Sequence, residues 1–260
     1  MNIKFECTSC GRCCHDLKVP LTVSEAIDWL SDGNDVQVFC EAVPWPADAS
    51  ADDLQAAHKK RRSFPSMSGS LPIRVIVIFE AAFSGACPNL QADMRCGIYA
   101  RRPLVCRIYP AEINPFIELL QTNKSCPPEA WGEDKLPLVE NGKIVDVATM
   151  ALIRQSCEAD AQEVHIKENL CASLQIDSAA LANEGFVIYS PGRAVLLKTL
   201  RKAAEDLNPH PTRLTWRYIS NQQSTIDILR SIGAVSSLVA ENPDRKFEYL
   251  GRDVLKPNCT

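Results

Sequence analysis

The sequence predicts an α+β protein: a small cysteine-rich α/β part with few strands, followed by a mainly helical C-terminal subdomain. Eight of the twelve cysteines lie at patterned spacings before residue 127. One run of β-branched residues falls in the same half, and helical periodicity dominates after residue 145. We therefore expect a cysteine-cluster domain over 1–130, with an insertion over about 34–72, and a helical subdomain over 131–260.

The bulk composition is that of an ordinary globular chain. The 260 residues are 46% hydrophobic and 23% charged, with a formal net charge of −4, which does not suggest a dedicated nucleic-acid binder. No apolar run approaches the ~18 residues that span a bilayer, and the first residues lack the pattern of a signal peptide. We expect a cytoplasmic protein whose thiols stay reduced, which disfavours a disulfide framework.

The helix with the strongest signals covers Val23–Ser31. Thr22 and Glu25 form the spacing of a capping box, and Gly33 suits the left-handed residue after the helix end. A strand is predicted over 73–79, and a second over the sequence IELLQT, residues 117–122. Residues 41–72, which include the basic run HKKRR, look less regular.

The C-terminal half reads as helical. Met150, Cys157, Val164 and Cys171 recur every seven residues, which predicts a long amphipathic helix with one break. A helix with Ser190 as its cap should bury Leu196, Leu200, Ala203 and Leu207, and another should cover residues 224–243.

The patterned thiols are the strongest chemical signal. Two C-x2-C spacings let thiolates converge on one ion across a tight turn, and an all-thiolate set suits zinc or iron–sulfur. Cys13 and Cys14 are neighbours, so two ions or a polynuclear cluster would use them more easily than one ion. The candidate ligands are Cys7, Cys10, Cys13, Cys14, Cys87, Cys96, Cys106 and Cys126.

Other readings stay open for several residues. The first four thiols could form a structural zinc site that only folds a loop. Cys40, Cys157 and Cys171 read as packing residues, and Cys259 as a free thiol. His15 could be a further ligand, but a hydrogen-bonding or solvent-facing side chain explains it more simply, since the thiols already suffice for four-coordinate sites. Asp16 and Glu25 could be oxygen ligands, but solubility and helix capping explain them more simply.

The segments FECTSCGRCC and CPNLQADMRCGIYARRPLVCRIYP resemble the bacterial cysteine-cluster proteins, the zinc- or iron-chelating CxxCxxCC domain (YkgJ-like). The resemblance covers about Phe5 to Pro127 and implies metal chelation, with Cys126 as the eighth thiol. Arginines of the second motif could offset thiolate charge and donate N–H bonds to sulfur. Of Arg101, Arg102 and Arg107, we expect Arg107, next to Cys106, to bind the cofactor.

Three functions are consistent with these residues. The first is a metal-binding protein that holds zinc or iron, with a 4Fe–4S cluster as one option, and serves metal handling, redox chemistry or protein maturation. The second is a protein-modifying enzyme resembling a lysine methylase, although no site for a methyl donor is visible. The third is a nucleic-acid-associated zinc module, suggested by HKKRR. The C-terminal helices could bind a protein partner; no membrane partner is expected.

Overall fold

The computed structural model describes residues 1–50, 52–206, 214–242 and 246–251. Within them the chain is a mixed α/β protein. Its strands are β1 (Ile3–Lys4), β2 (Pro20–Leu21), β3 (Asp35–Pro44), β4 (Ser63–Ser68), β5 (Leu71–Ala82), β6 (Pro137–Glu140), β7 (Lys143–Ile144), β8 (Ser178–Leu181), β9 (Gly185–Tyr189), β10 (Arg217–Ser220), β11 (Ser236–Leu238) and β12 (Glu248–Gly251). Its α-helices are α1 (Val23–Ser31), α2 (Leu54–Arg61), α3 (Leu104–Ile108), α4 (Val147–Gln162), α5 (Val164–Leu174), α6 (Arg193–Glu205) and α7 (Gln223–Ser231).

Helix α1 is confirmed with its predicted bounds and cap. The Thr22 hydroxyl accepts from the Glu25 backbone N–H, and the Glu25 carboxylate accepts from the Thr22 N–H. Two of the N–H groups that a helix start leaves unpaired are thereby satisfied. Gly33 adopts the expected positive φ of 91° just after the helix.

The predicted insertion is regular, contrary to expectation. Residues 35–44 form β3, which pairs antiparallel with β5 from Asp35 opposite Ala82 to Pro44 opposite Ile73. Val36, Val38, Cys40 and Ala42 alternate into the core, which is the period of a strand. The helix α2 and the strand β4, which also pairs with β5, complete the segment. The predicted strand at 73–79 is confirmed as the middle of β5.

The expected mainly helical C-terminal subdomain is not confirmed. Strands β8, β10 and β11 run parallel to one another, and β8 and β9 both pair with β3. Together they extend one sheet in the order β11-β10-β8-β3-β5-β2, with β4, β9 and β12 off that path. The C-terminal half therefore supplies strands to the sheet that the N-terminal half begins.

Three further predictions are corrected. Residues 117–122 form no strand; a 3-10 turn covers Gln121–Asn123. The cap of α6 is Gly192, not Ser190, although Leu196, Leu200 and Ala203 are buried as expected; Leu207 lies outside the described residues. The helix predicted over residues 224–243 is α7, which ends at Ser231, because Gly233 has a positive φ and the chain then enters β11.

The predicted break in the long helix is confirmed at Glu163, between α4 and α5. None of the α4 residues is buried, whereas α5 buries Leu170 and Cys171. The first half of the apolar stripe therefore does not enter the main core. Leu152 and Ile153 instead pack against Leu104 and Ile108 of α3.

The main core lies on one face of the large sheet, under α1, α5 and α6. A smaller sheet, β1-β6-β7, packs its own cluster of Ile3, Leu119, Leu138 and Val139. None of the helices in the described ranges is long and apolar enough to cross a membrane.

Candidate metal centre

The first cysteine motif forms the loop between β1 and β2. A 3-10 turn covers Arg12–Cys14, and Gly11 precedes it with a φ of 70°. A Cβ at Gly11 would lie 2.5 Å from the backbone oxygen of Met94, in the second motif. Glycine is therefore needed here both for the left-handed backbone and for the close approach of the two loops.

Backbone hydrogen bonds join the first motif to the start of the second. The Cys87 N–H donates to the Cys14 oxygen at 2.7 Å, and the Asp16 N–H donates to the Gly85 oxygen at 2.9 Å. The Asp16 carboxylate accepts from the Gly85 N–H at 3.0 Å. Motifs that lie about 70 residues apart in sequence therefore meet along a short antiparallel contact, in which Asp16 has a structural role.

Helix α3 carries Cys106 and is held by Glu25. One Glu25 carboxylate oxygen accepts from the Leu104 N–H at 2.7 Å, at the start of α3, while the other accepts from the Thr22 N–H. Glu25 is thus a shared cap of α1 and α3. Both its oxygens accept hydrogen bonds from backbone N–H groups. This geometry fits helix capping, the simpler of the two roles that the sequence suggested for Glu25.

Cys126 approaches from a third segment. The Ser125 N–H donates to the Tyr109 hydroxyl at 2.8 Å, and this hydroxyl also contacts the Cys126 thiol. The Glu6 N–H donates to the Ala130 oxygen, which ties the chain before Cys7 to the chain after Cys126. The Tyr109 hydroxyl therefore contacts both Ser125 and Cys126 and ties this segment to the end of α3.

All eight predicted thiols line one cavity of about 920 Å³. The thiols influence one another: Cys106 interacts with Cys87, Cys14 and Cys96, and Cys126 interacts with Cys10 and Cys7. Every cysteine in the described ranges is a free thiol. Within those ranges, no three Cys, His, Asp or Glu side chains are grouped closely enough to hold a metal ion as they stand. The structure thus brings the thiols to one cavity without arranging them as a closed coordination shell.

The thiols differ in their electrostatic surroundings. The Cys14 pKa is lowered to about 6, first because its thiolate accepts a hydrogen bond from Cys13, and then because His15 and Arg102 are near. The pKa of Cys13 is raised correspondingly, by that hydrogen bond and by burial. Burial raises the pKa of Cys106 to about 12 and that of Cys126 to about 11. Cationic neighbours favour thiolate at Cys14, whereas desolvation opposes it at the deeper positions.

Arg102 is the arginine that faces the thiols. Its charge favours thiolate at both Cys14 and Cys106, and its guanidinium lies 3.7 Å from the centre of the Tyr99 ring. Arg101 pairs with Asp32 at 3.2 Å. Arg107, the predicted cofactor-binding residue, is exposed and lines the cavity. Proximity to Cys106 in the sequence was therefore not enough to predict which of the three arginines acts on the thiols.

The remaining residues fall into two groups. Cys40 and Cys171 are fully buried in the core, as expected for packing thiols. Cys157 is partly exposed and lines the cavity, which is not the packed position that the helical stripe predicts. The ring Nδ1 of His15 is 3.2 Å from the Gly11 oxygen, consistent with a hydrogen-bonding role. Cys259 lies outside the described residues.

Sequence reasoning missed part of the cavity wall. The wall also includes His58 of α2 and Arg62 just after it, Asp160 of α4, Glu163 between α4 and α5, and Lys167 of α5. The basic run HKKRR was a visible signal, but nothing in the sequence indicated that it faces the cysteines. The cavity is therefore built from both halves of the chain.

This geometry defines a class: a protein with a thiol-lined cavity whose soft donors suit zinc or iron and not magnesium or calcium. Comparison with known families agrees. Residues 6–127 match the CxxCxxCC family, described as "Putative zinc- or iron-chelating domain". The resemblance carried by the two motifs is confirmed over that segment. No curated protein and no solved structure matches the chain.

Proposed function

We propose that this protein binds zinc or iron through the eight motif cysteines. The observation that carries the proposal is their convergence: thiols from three separated segments line one cavity. Soft thiolates are the donors that zinc and iron–sulfur centres use. The match of residues 6–127 to a chelating family supports the same assignment.

The number of thiols bears on the kind of centre. A closed structural zinc site uses four ligands, so eight thiols exceed what one such ion requires. They are enough for two ions or for a polynuclear iron–sulfur cluster with further thiols beside it. Adjacent Cys13 and Cys14 fit a centre with more than one metal ion. The cysteine thiolates would hold a centre of this kind tightly, and the centre would supply electron transfer if it contains iron and sulfide.

The protein's own residues prepare the thiols for such a centre. Ligating cysteines must lose their protons, and Arg102 and His15 stabilise thiolate at Cys14. Arg102 acts also on Cys106. A hydrogen bond from the Tyr109 hydroxyl favours thiolate at Cys126, although burial raises the pKa of this thiol overall. Metal handling, redox chemistry and maturation of another protein in the cytoplasm are the roles that we propose for the bound metal.

The test is the metal content of protein purified without oxygen. Elemental analysis, labile-sulfide assay and an absorbance spectrum of one sample separate zinc from iron–sulfur. We expect Cys14→Ser to lose at least half of the bound metal. Cys157→Ser is the matched control, because this thiol lines the same cavity but belongs to neither motif. Equal metal content in both variants, or no metal after anaerobic reconstitution, would contradict the proposal.

A second candidate is an enzyme that uses the metal centre to modify a protein. A cavity of about 920 Å³ beside the thiols is large enough to admit a side chain or a small co-substrate. Titration with S-adenosylmethionine tests the methylase version, and a lack of binding would exclude it. The nucleic-acid alternative has less support, since His58, Lys59, Arg61 and Arg62 line the cavity while Lys60 pairs with Asp48.

A further inference from the structure

A basic wall forms part of the cavity that contains the thiols. Its members come from two separate parts of the chain: the end of α2 and the beginning of α5. The basic wall consists of His58, Lys59, Arg61, Arg62 and Lys167. The helix dipole alone could explain the basic residues at the C-terminus of α2. It does not explain Lys167, which lies near the start of another helix.

Asp160 holds two of these cations in place. Arg62 Nε lies 3.0 Å from one Asp160 carboxylate oxygen, and Lys167 Nζ lies 2.5 Å from the other. The Lys167 side chain is only 4% exposed, so its position is fixed by packing as well as by charge. One carboxylate against two cations leaves a net positive charge, to which Lys59 and Arg61 add.

Two groups, Glu163 beside the basic wall and His58 within it, have polar atoms without a hydrogen-bond partner in the described part of the chain. One Glu163 oxygen accepts from the Val23 N–H at 2.9 Å, whereas the other is buried, 4.0 Å from Lys167, and accepts no hydrogen bond from a described residue. Nε2 of His58 is likewise buried and has no hydrogen-bond partner among the described residues. Burial raises the pKa of Glu163 to about 7, so a large fraction of this carboxyl is protonated at neutral pH. A protonated Glu163 carboxyl, or a His58 ring with its proton on Nε2, can donate a hydrogen bond to an oxygen in the cavity.

We propose that the basic wall binds the oxyanion group, carboxylate or phosphate, of a small ligand that occupies the cavity beside the thiols. Arginine and lysine recognise such groups through charge-assisted hydrogen bonds. The unpartnered atoms of Glu163 and His58 would gain hydrogen bonds to the same ligand. The inference rests on the proposed function in one respect: the ligand would lie next to the metal.

The charge distribution explains why the ligand would be an anion. Metal-bound thiolates supply negative charge in one part of the cavity, and the basic wall supplies positive charge in another. A ligand whose acidic group lies on the basic wall avoids repulsion by the thiolates.

The experiment uses the full chain and two probes, inorganic phosphate and citrate, titrated calorimetrically at constant ionic strength. The test variant combines Lys59→Ala and Arg61→Ala, which remove two cations without touching the Asp160 pairs. The control is Lys60→Ala, a neighbouring cation that pairs with Asp48 and does not line the cavity. We expect the double variant to weaken binding at least fivefold and the control to change it less than twofold.

Each outcome has a defined meaning. Binding of phosphate alone assigns a phosphorylated ligand, and binding of citrate alone assigns a carboxylic acid. No binding of either probe by the unmodified chain, or equal weakening by Lys60→Ala, overturns the inference. Metal content measured on the same samples separates the two proposals, since a failed metal assignment leaves anion binding by the metal-free chain intact. The double variant should keep its full metal content.

Discussion

Two groups of cysteines in this molecule show how differently one side chain can be used. Cys40 and Cys171 contact each other inside the core, at 0% and 1% exposure. Burial there raises the pKa of Cys40 well above its usual value. Cys14 is a partly exposed thiol whose pKa falls to about 6, first because Cys13 donates a hydrogen bond to it and then because His15 and Arg102 are near. The same thiol group is therefore driven toward its protonated form in the core, and toward thiolate where a hydrogen-bond donor and cations surround it.

The largest expected difference between these two regions appears when metal is removed. The loop of the first motif buries none of Arg12–Cys14, whereas β3 and β5 share an extensive core. We expect a chelator to raise amide hydrogen exchange at least tenfold over residues 7–14 and 87–106, because metal ligation replaces the missing apolar packing. Exchange in β3 and β5 should stay unchanged. An equal rise in amide hydrogen exchange in both regions would contradict the prediction that metal stabilises the cysteine loops and not the core strands.

Glu80 extends the comparison of buried and exposed groups to a carboxyl. This carboxyl lines the cavity, and burial keeps it largely neutral. Its pKa is about 8 against 4.5 unperturbed, raised by burial. A raised carboxyl pKa stabilises the fold below pH 4.5, and this contribution is lost as the pH rises from about 4.5 to 8. The loss is ~1.4 kcal/mol per pH unit within that window. We expect Glu80→Gln to match the unmodified chain near pH 4.5 and to be more stable at pH 8.

Chemical denaturation of both proteins across this pH range provides the measurement. The free energy of unfolding should fall with pH more steeply for the unmodified chain than for Glu80→Gln. Parallel pH profiles would show that Glu80 is ionised in the folded protein.

Cys40→Ser tests the core side of the comparison. A serine hydroxyl at this fully buried position would replace a weakly polar thiol, so we expect a loss of ~1–3 kcal/mol in the free energy of unfolding. Metal content should not change. Cys157→Ser, at a partly exposed position, serves as the control and should lose much less stability. A Cys40→Ser variant that loses metal while keeping its stability would erase the distinction between the two groups.

Glu25→Gln should have the smallest effect of the four changes. The substitution keeps the shape of the side chain, but a glutamine has one acceptor oxygen, so one of the hydrogen bonds from Thr22 and Leu104 is lost, at a cost of about 1 kcal/mol. Because Leu104 begins the helix that carries Cys106, metal affinity should also fall slightly. Thermal unfolding and metal competition measure the two effects. Unchanged values in both would show that the shared cap contributes little.

Local signals predicted some elements well. The capping box fixes α1 because Thr22, Glu25 and the helix start interact within a few residues. The strand β5 is evident because seven consecutive residues, 73–79, are mostly β-branched or aromatic. The apolar face of α6 follows from spacing alone. Each of these signals lies within one segment and needs no partner to be recognised.

Other elements depend on their partners. The segment 35–44 alternates with the period of a strand, with Gln37 and Glu41 on the face opposite the core, but only its pairing with β5 shows which strand it joins and in which register. β8 and β9 are short segments, and their strand conformation depends on pairing with β3. Residues 117–122 are rich in apolar side chains, yet Leu119 packs into the small cluster beside β1 instead of joining a sheet.

The sequence alone predicted the chemistry: the type and spacing of eight cysteines predict soft metal ligands, and the resemblance that they carry agrees with the match of residues 6–127 to a chelating domain. It also determined α1 and β5, because local interactions specify them. Only the tertiary structure decided that the two motifs meet, that Arg102 faces the thiols, and that a basic wall from α2 and α5 shares their cavity. Those arrangements depend on contacts between residues far apart in the chain, where burial, hydrogen bonding and charge act together and leave no periodic signal.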